Sequence, residues 1–164
     1  MNDNPIENAW KIHAALVDWT GKVDTKASFT LTIESALLAG VMALSGENRA
    51  LSNLRGLPAF LYVVGISLLV VAVCYAVLVV RPRLRSKNLT AEARQHYIYF
   101  GHLRERKPSL VRDHLENTPV LPVLSKQLVE MSKIAWDKHK MVQRSMTIAP
   151  LGLVALLFAA ALSS

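Results

Sequence analysis

Residues 57–80 read LPAFLYVVGISLLVVAVCYAVLVV, twenty-four positions without a charge. A helix that crosses the hydrocarbon core of a bilayer needs about 20 mostly apolar residues, each rising about 1.5 Å. This run meets that requirement with length to spare. Two further stretches share its character. Ala27 to Ser45 holds one ionisable residue, Glu34, and Ser145 to Ser164 holds none. Three such stretches are foreign to a single soluble domain. The chain therefore reads as all-α, a polytopic helical membrane protein with three spans and a cytoplasmic helical bundle. The expected divisions are a cytoplasmic amphipathic helix over 1–26, spans over 27–45, 57–80 and 148–162, an external loop over 46–56, and the bundle over 81–147. The third span is the shortest.

Composition alone leaves more room. The chain has 164 residues, of which 52% are hydrophobic and 19% charged, with a formal net charge of +7. Such apolarity excludes a disordered or acidic solvating protein. It still admits a basic nucleic-acid binder. The charge distribution removes that option. Residues 81–147 carry 14 Lys and Arg against 6 Asp and Glu, a net +8, while the rest of the chain sums to −1. Basic residues gathered between two spans mark the cytoplasmic side. They place 81–147 and the N-terminus in the cytoplasm and the loop 46–56 outside, with no nucleic-acid partner. The residues before Ala27 include Asp3, Glu7, Asp18 and Asp24 and lack a basic n-region, so the first span is expected to stay as an anchor. A single cysteine, Cys74, excludes a disulfide framework and a cysteine-based zinc site.

The cytoplasmic segments carry a helical period. Leu121, Leu124, Leu128, Met131, Ala135 and Val142 follow steps of three and four, and Lys126, Glu130, Lys133, Asp137, Lys140 and Arg144 do the same on another face. One long amphipathic helix over 118–147 is expected to run into the third span, with Pro150 able to kink it. Ile6, Trp10, His13 or Ala14, and Val17 form a second stripe ahead of the first span, loosened at Gly21. A third helix is expected from Thr90, as N-cap, to about Arg106. Lys107-Pro108-Ser109 breaks it, and a short helix over 109–116 stops before Thr118-Pro119.

Four patterns occur in order along the chain. Asp24-Thr25-Lys26-Ala27-Ser28 opens the first span and Arg81-Pro82-Arg83 closes the second. Tyr97-Ile98-Tyr99-Phe100-Gly101-His102-Leu103 follows, then Leu124-Ser125-Lys126-Gln127-Leu128 through Lys138-His139-Lys140. In this order and spacing, over roughly Trp10 to the third span, the chain resembles the transmembrane effectors of bacterial Pycsar anti-phage systems. The resemblance implies that a partner cyclase makes cyclic CMP or cyclic UMP on infection. The effector answers by impairing the inner membrane, a form of abortive infection. It implies no other cofactor and leaves open which pyrimidine is used.

Candidate residues follow from what a cyclic mononucleotide needs: a cation for the phosphate, an aromatic ring to stack and polar groups for the base edge. Phe100 and His102 are the leading pair, with Arg104 beside them and Lys140 or Arg144 for the phosphate. The competing role for most of these aromatics is bundle core. Asp24 and Lys26, at the mouth of the first span, join the set through the resemblance. Within the span, Glu34 reads either as a pore-lining group exposed in a homo-oligomer or as a packed carboxyl against Thr30, Ser67 or a neighbouring helix. Ser28, Thr32, Ser35 and Ala39 form a small-residue stripe, for which packing inside the protomer is slightly favoured over oligomerisation. Arg81, Arg83, Arg85 and Lys87 suit anionic headgroups of the lipid bilayer. The five histidines show no i,i+4 pair and no carboxylate cluster, so no metal is expected. No nucleophile with a neighbouring base and no phosphate-binding loop is present, so catalysis is not expected. Two other readings compete with the ligand-triggered effector, a ligand-independent membrane scaffold and a holin- or channel-like protein. The long patterned segment between spans disfavours the latter.

Overall fold

The computed structural model describes residues 4–47, 49, 51–82, 98–104 and 106–163, with the side chains of Phe100 and His102 excepted. The elements are α1 (Pro5–Leu44), α2 (Leu57–Val80), α3 (Phe100–Leu103), α4 (Pro108–Asn117) and α5 (Val120–Ala161). No strand occurs among the described residues. Helices α1, α2 and α5 are each long and apolar enough to cross a membrane. The chain divides into two compact units, residues 22–81 with 137–164, and residues 1–21 with 82–136.

Local chemistry sets the element ends. Gly56 precedes α2 at φ 63°, a left-handed conformation that a side chain disfavours, and Pro58 stands in the first turn. Lys107, ahead of Pro108, is extended (ψ 141°), and so is Thr118, ahead of Pro119 (ψ 130°). These two prolines bracket α4. The 40 residues of α1 run through Gly21 without interruption, so the loosening expected there does not occur. Tertiary contacts outweigh the roughly 1 kcal/mol propensity penalty of one glycine. Pro150 likewise lies inside a continuous α5.

Buried positions on the three long helices recur at alternating steps of three and four. In α2 they are Gly65, Leu69, Ala72, Ala76 and Val79. In α5, beyond buried Val123 and Leu124 near its start, they are Ala135, Lys138, Val142, Ser145, Ala149, Gly152, Leu156 and Ala159. In α1, buried Ala9, Leu16, Val23, Ala27, Glu34 and Val41 alternate with half-buried His13, Thr20, Thr30 and Leu37 in the same rhythm. A strict 3.5-residue period keeps one seam facing its partners along a coiled-coil-like path. Most seam residues are small, which lets the helices approach closely. In the unit of residues 22–81 and 137–164, two clusters result. One joins Val41, Leu51, Leu69, Ala72, Ala149 and Leu156, and the other joins Val23, Ala27, Val79 and Val142.

Three expectations are corrected. The stripe Ile6, Trp10, Val17 is exposed at 38%, 43% and 51%, and the buried line of α1 is Ala9–Leu16–Val23. Both lines have helical spacing, and the one built of smaller side chains continues the seam of the span. Ser28, Thr32, Ser35 and Ala39 are all exposed, so they do not pack within the protomer. The small residues used for that purpose lie on the opposite, seam-forming face. The helix expected over 90–106 is not continuous, because Ile98 and Tyr99 are bends and the described helix there is only α3. Bulky aromatic and β-branched side chains lose rotamer freedom in a helix, and Tyr97-Ile98-Tyr99-Phe100 concentrates them. The expected start at Thr90 and the run Arg83, Arg85, Lys87 lie outside the described residues.

Candidate functional site

The seam of the unit containing the spans carries polar groups at two levels. At the first, Lys138 of α5, only 8% exposed, donates to Asp24 of α1 at 2.5 Å. Asp24 is half-buried, and Lys26 points outward from the same turn. At the second level, Ser145 of α5 (0% exposed) touches both other helices. Its Oγ lies 2.6 Å from Glu34 Oε1 on α1 and 2.9 Å from the carbonyl oxygen of Ala72 on α2. Glu34 is itself 1% exposed, and its Oε2 has no hydrogen-bond partner among the described residues. This carboxyl is packed within the protomer against α2 and α5. Neither Thr30 nor Ser67 makes the contact; Ser145 does.

The exposed stripe is quieter chemically. Ser28 Oγ donates to the Asp24 carbonyl and Thr32 Oγ1 to the Ser28 carbonyl, both at 3.0 Å along α1 itself. These bonds satisfy the hydroxyls locally and leave a low-profile exposed face. Arg144 is exposed on α5 and lays its guanidinium 5.8 Å from the centre of the Tyr75 ring on α2. Tyr75 stands six residues inside the uncharged run, so Arg144 lies against the apolar stretch of α2. Lys140, also exposed, lies one turn nearer the start of α5.

The other unit holds the remaining candidates. Phe100, His102 and Arg104 fall on or just after α3, and Arg104 is exposed. The ligand set inferred from sequence is therefore divided. Phe100, His102 and Arg104 belong to one unit, while Asp24, Lys26, Lys140 and Arg144 belong to the other. Next to α3 and α4 lies a cavity of about 570 Å³ lined by Leu103, Arg106, Val111, Arg112 and Leu115 among others. Arg106 and Arg112 were not singled out by sequence reasoning. Their only signal is a basic residue on either side of Pro108, which is too common to be informative. Arg112 Nε donates to Glu116 at 2.7 Å. Trp10 and His13 meet edge to face at 5.3 Å. No group of three His, Cys, Asp or Glu residues able to hold a metal occurs among the described residues.

A buried carboxyl among three long apolar helices and a separate helical unit with two arginines in a cavity wall are the chain's main polar features. Comparison with known families places the chain. The family model for the Pycsar effector protein domain (PycTM) matches residues 8–164. The chain belongs to the Pycsar effector family. No curated protein and no solved structure matches it. As a Pycsar effector it is a membrane effector of anti-phage defence, and its family is not a known family of enzymes. The ordered patterns from Asp24 to Lys140 thus pointed to the right family, and they span most of the matched range. Ser145 escaped selection as a site residue, and Lys138, quoted in the ordered patterns, was not paired with Asp24. Their partners stand 111 and 114 positions away, and no local spacing signals such a pairing.

Proposed function

We propose that this Pycsar effector is gated by a cyclic pyrimidine mononucleotide, cyclic CMP or cyclic UMP, supplied by a partner cyclase. On binding, it impairs the bacterial inner membrane and ends the infected cell before phage matures. The observation that carries the reading is the family match over residues 8–164, together with three helices fit to span a bilayer. The N-terminus and residues 81–147 face the cytoplasm, where the messenger is made. Phe100 stacks on the base, His102 and Arg104 meet its polar edge or the phosphate, and Asp24 and Lys26 couple the cytoplasmic end of α1 to that event.

The effector works as a homo-oligomer. Its exposed α1 face of Ser28, Thr32, Ser35 and Ala39 gives another helix a close approach within the membrane. To move from a closed to an open population, the messenger must bind the open state more tightly, by about 5.5 kcal/mol for a near-complete shift. No catalytic step is needed for this action.

The test is a comparison of cyclic CMP, cyclic UMP, cyclic AMP and cyclic GMP on the purified protein, read both as binding and as dye release from vesicles. One cyclic pyrimidine nucleotide is expected to bind and to release dye, and Phe100→Ala is expected to weaken both. Dye retention with all four nucleotides, in vesicles shown to contain folded protein, overturns the reading.

A further inference from the structure

The contact between Glu34, Ser145 and Ala72 can be read by counting protons. Ser145 Oγ lies within hydrogen-bond distance of two oxygens, Glu34 Oε1 at 2.6 Å and the Ala72 carbonyl at 2.9 Å. A hydroxyl carries one proton, and a carbonyl can only accept. If the Ser145 proton goes to Glu34, the Ala72 contact holds two oxygens together with no proton between them. If it goes to Ala72, the 2.6 Å contact needs its proton from the carboxyl. A hydroxyl shared between the two acceptors would give each only part of a bond; two full bonds form when Glu34 donates to Ser145 and Ser145 donates to Ala72.

The surroundings agree with a carboxylic acid. Glu34 Oε2 is buried without a hydrogen-bond partner among the described residues. A carboxylate would leave charge on that oxygen unsolvated, whereas the carbonyl oxygen of an acid tolerates the position. Among the described residues, the nearby cations are directed elsewhere. On α5, Arg144 is directed to Tyr75 and Lys138 to Asp24. On α2, the facing group is the Ala72 carbonyl, with Tyr75 and Cys74 to one side. On α1, no ionisable residue lies between Lys26 and Leu44 except Glu34 itself.

We propose that Glu34 is an intramembrane proton-binding site whose acid form locks α1, α2 and α5 together. A cavity of about 290 Å³ between α1 and α5, lined by Thr30, Glu34, Leu37, Met146, Pro150 and Leu153, lies beside the carboxyl and has room for the water that would take its proton. Pro150 has no N–H for the Met146 carbonyl, so that carbonyl offers water a second polar stop in the same cavity. When Glu34 releases its proton to such a water, Ser145 must turn its own proton to the new carboxylate. The Ala72 carbonyl then loses its Ser145 donor, and the polar tie between α2 and α5 is broken while the apolar seam remains. That this loss opens the membrane rests on the proposed function; the proton site itself does not.

Infrared spectroscopy of the protein in lipid vesicles tests the site directly. At neutral pH the wild type is expected to show a carboxylic-acid C=O stretch that Glu34→Gln removes. Ser145→Ala is expected to shift the band by weakening its hydrogen bonding. Glu34→Gln keeps the shape of the side chain and can donate its amide N–H to Ser145, so the fold is retained. A wild-type spectrum without that band at neutral pH overturns the site. Dye release without any nucleotide then tests the lock. It is expected to rise several-fold as alkaline pH bleaches the band, and to stay flat in Glu34→Gln. Loss of the band with no change in release overturns the lock. If the band behaves as expected but no cyclic nucleotide releases dye, the proposed function fails and the proton site stands.

Discussion

Lys138 occupies a seam position of α5 where its helical neighbours Ala135, Val142 and Ser145 are buried. Its stem fills the space a hydrophobic residue would take, and its ammonium meets the carboxylate of Asp24 at 2.5 Å. The two partners are unequally placed, with side chains 10% and 40% exposed. Removing the carboxylate leaves a nearly buried ammonium unpaired, whereas removing the lysine leaves a carboxylate that water can still reach. Fully buried pairs lose about 3–5 kcal/mol when one partner is removed, and exposed pairs contribute about 0–1 kcal/mol. Asp24→Asn is therefore expected to destabilise by about 1–3 kcal/mol, and Lys138→Met by clearly less. Thermal unfolding in detergent checks the order, and a double-mutant cycle isolates the coupling.

At the level of elements, α2 and α5 cross where both lack a side chain. A Cβ built on Gly65 would stand 2.6 Å from Leu156 Cγ and 2.8 Å from the Gly152 carbonyl oxygen. A Cβ on Gly152 would stand 2.9 Å from the Gly65 carbonyl oxygen and 3.1 Å from Leu69 N. Leucine can rotate away; backbone cannot. Either glycine changed to alanine is expected to push the helices apart at a cost of about 1–3 kcal/mol, as overpacked cores do. Gly40, with nothing within 4 Å of its Cβ position, supplies the contrast. Gly40→Ala is expected to be neutral or stabilising by up to about 1 kcal/mol through helix propensity. Unfolding midpoints of the three variants compare the sites. The pair Gly65 and Gly152 also shows what sequence could and could not give. The uncharged length of 57–80 made α2 legible because solvent selects for it alone. Which face of α1, α2 or α5 would be buried was not legible, because every face of a spanning helix is apolar. Ile6-Trp10-Val17 and Ala9-Leu16-Val23 are equally good helical stripes. The choice between them depends on shapes contributed by residues far along the chain.

For the whole molecule, charge decides orientation where hydropathy cannot. The three apolar stretches are indifferent to direction, and the net +8 of residues 81–147 against −1 elsewhere is the asymmetry available. The short loop 46–56 carries only Arg49 and Arg55 against Glu47, so neither side of the membrane would hold it strongly. The basic segment between α2 and the end of the spans would resist transfer across an energised membrane, and it carries the orientation of the rest with it. Cys74 is the single cysteine, and its replacement leaves a chain into which one thiol at a time can be placed. In a Cys74→Ala background, Ser52→Cys is expected to react with a membrane-impermeant maleimide on intact spheroplasts. Ser109→Cys, in α4, is expected to react only after permeabilisation. The reverse pattern would put the basic unit outside, away from any messenger made in the cytoplasm, and would count against messenger gating as well as against the orientation. The expected pattern leaves α3 on the cytoplasmic side, as messenger gating requires.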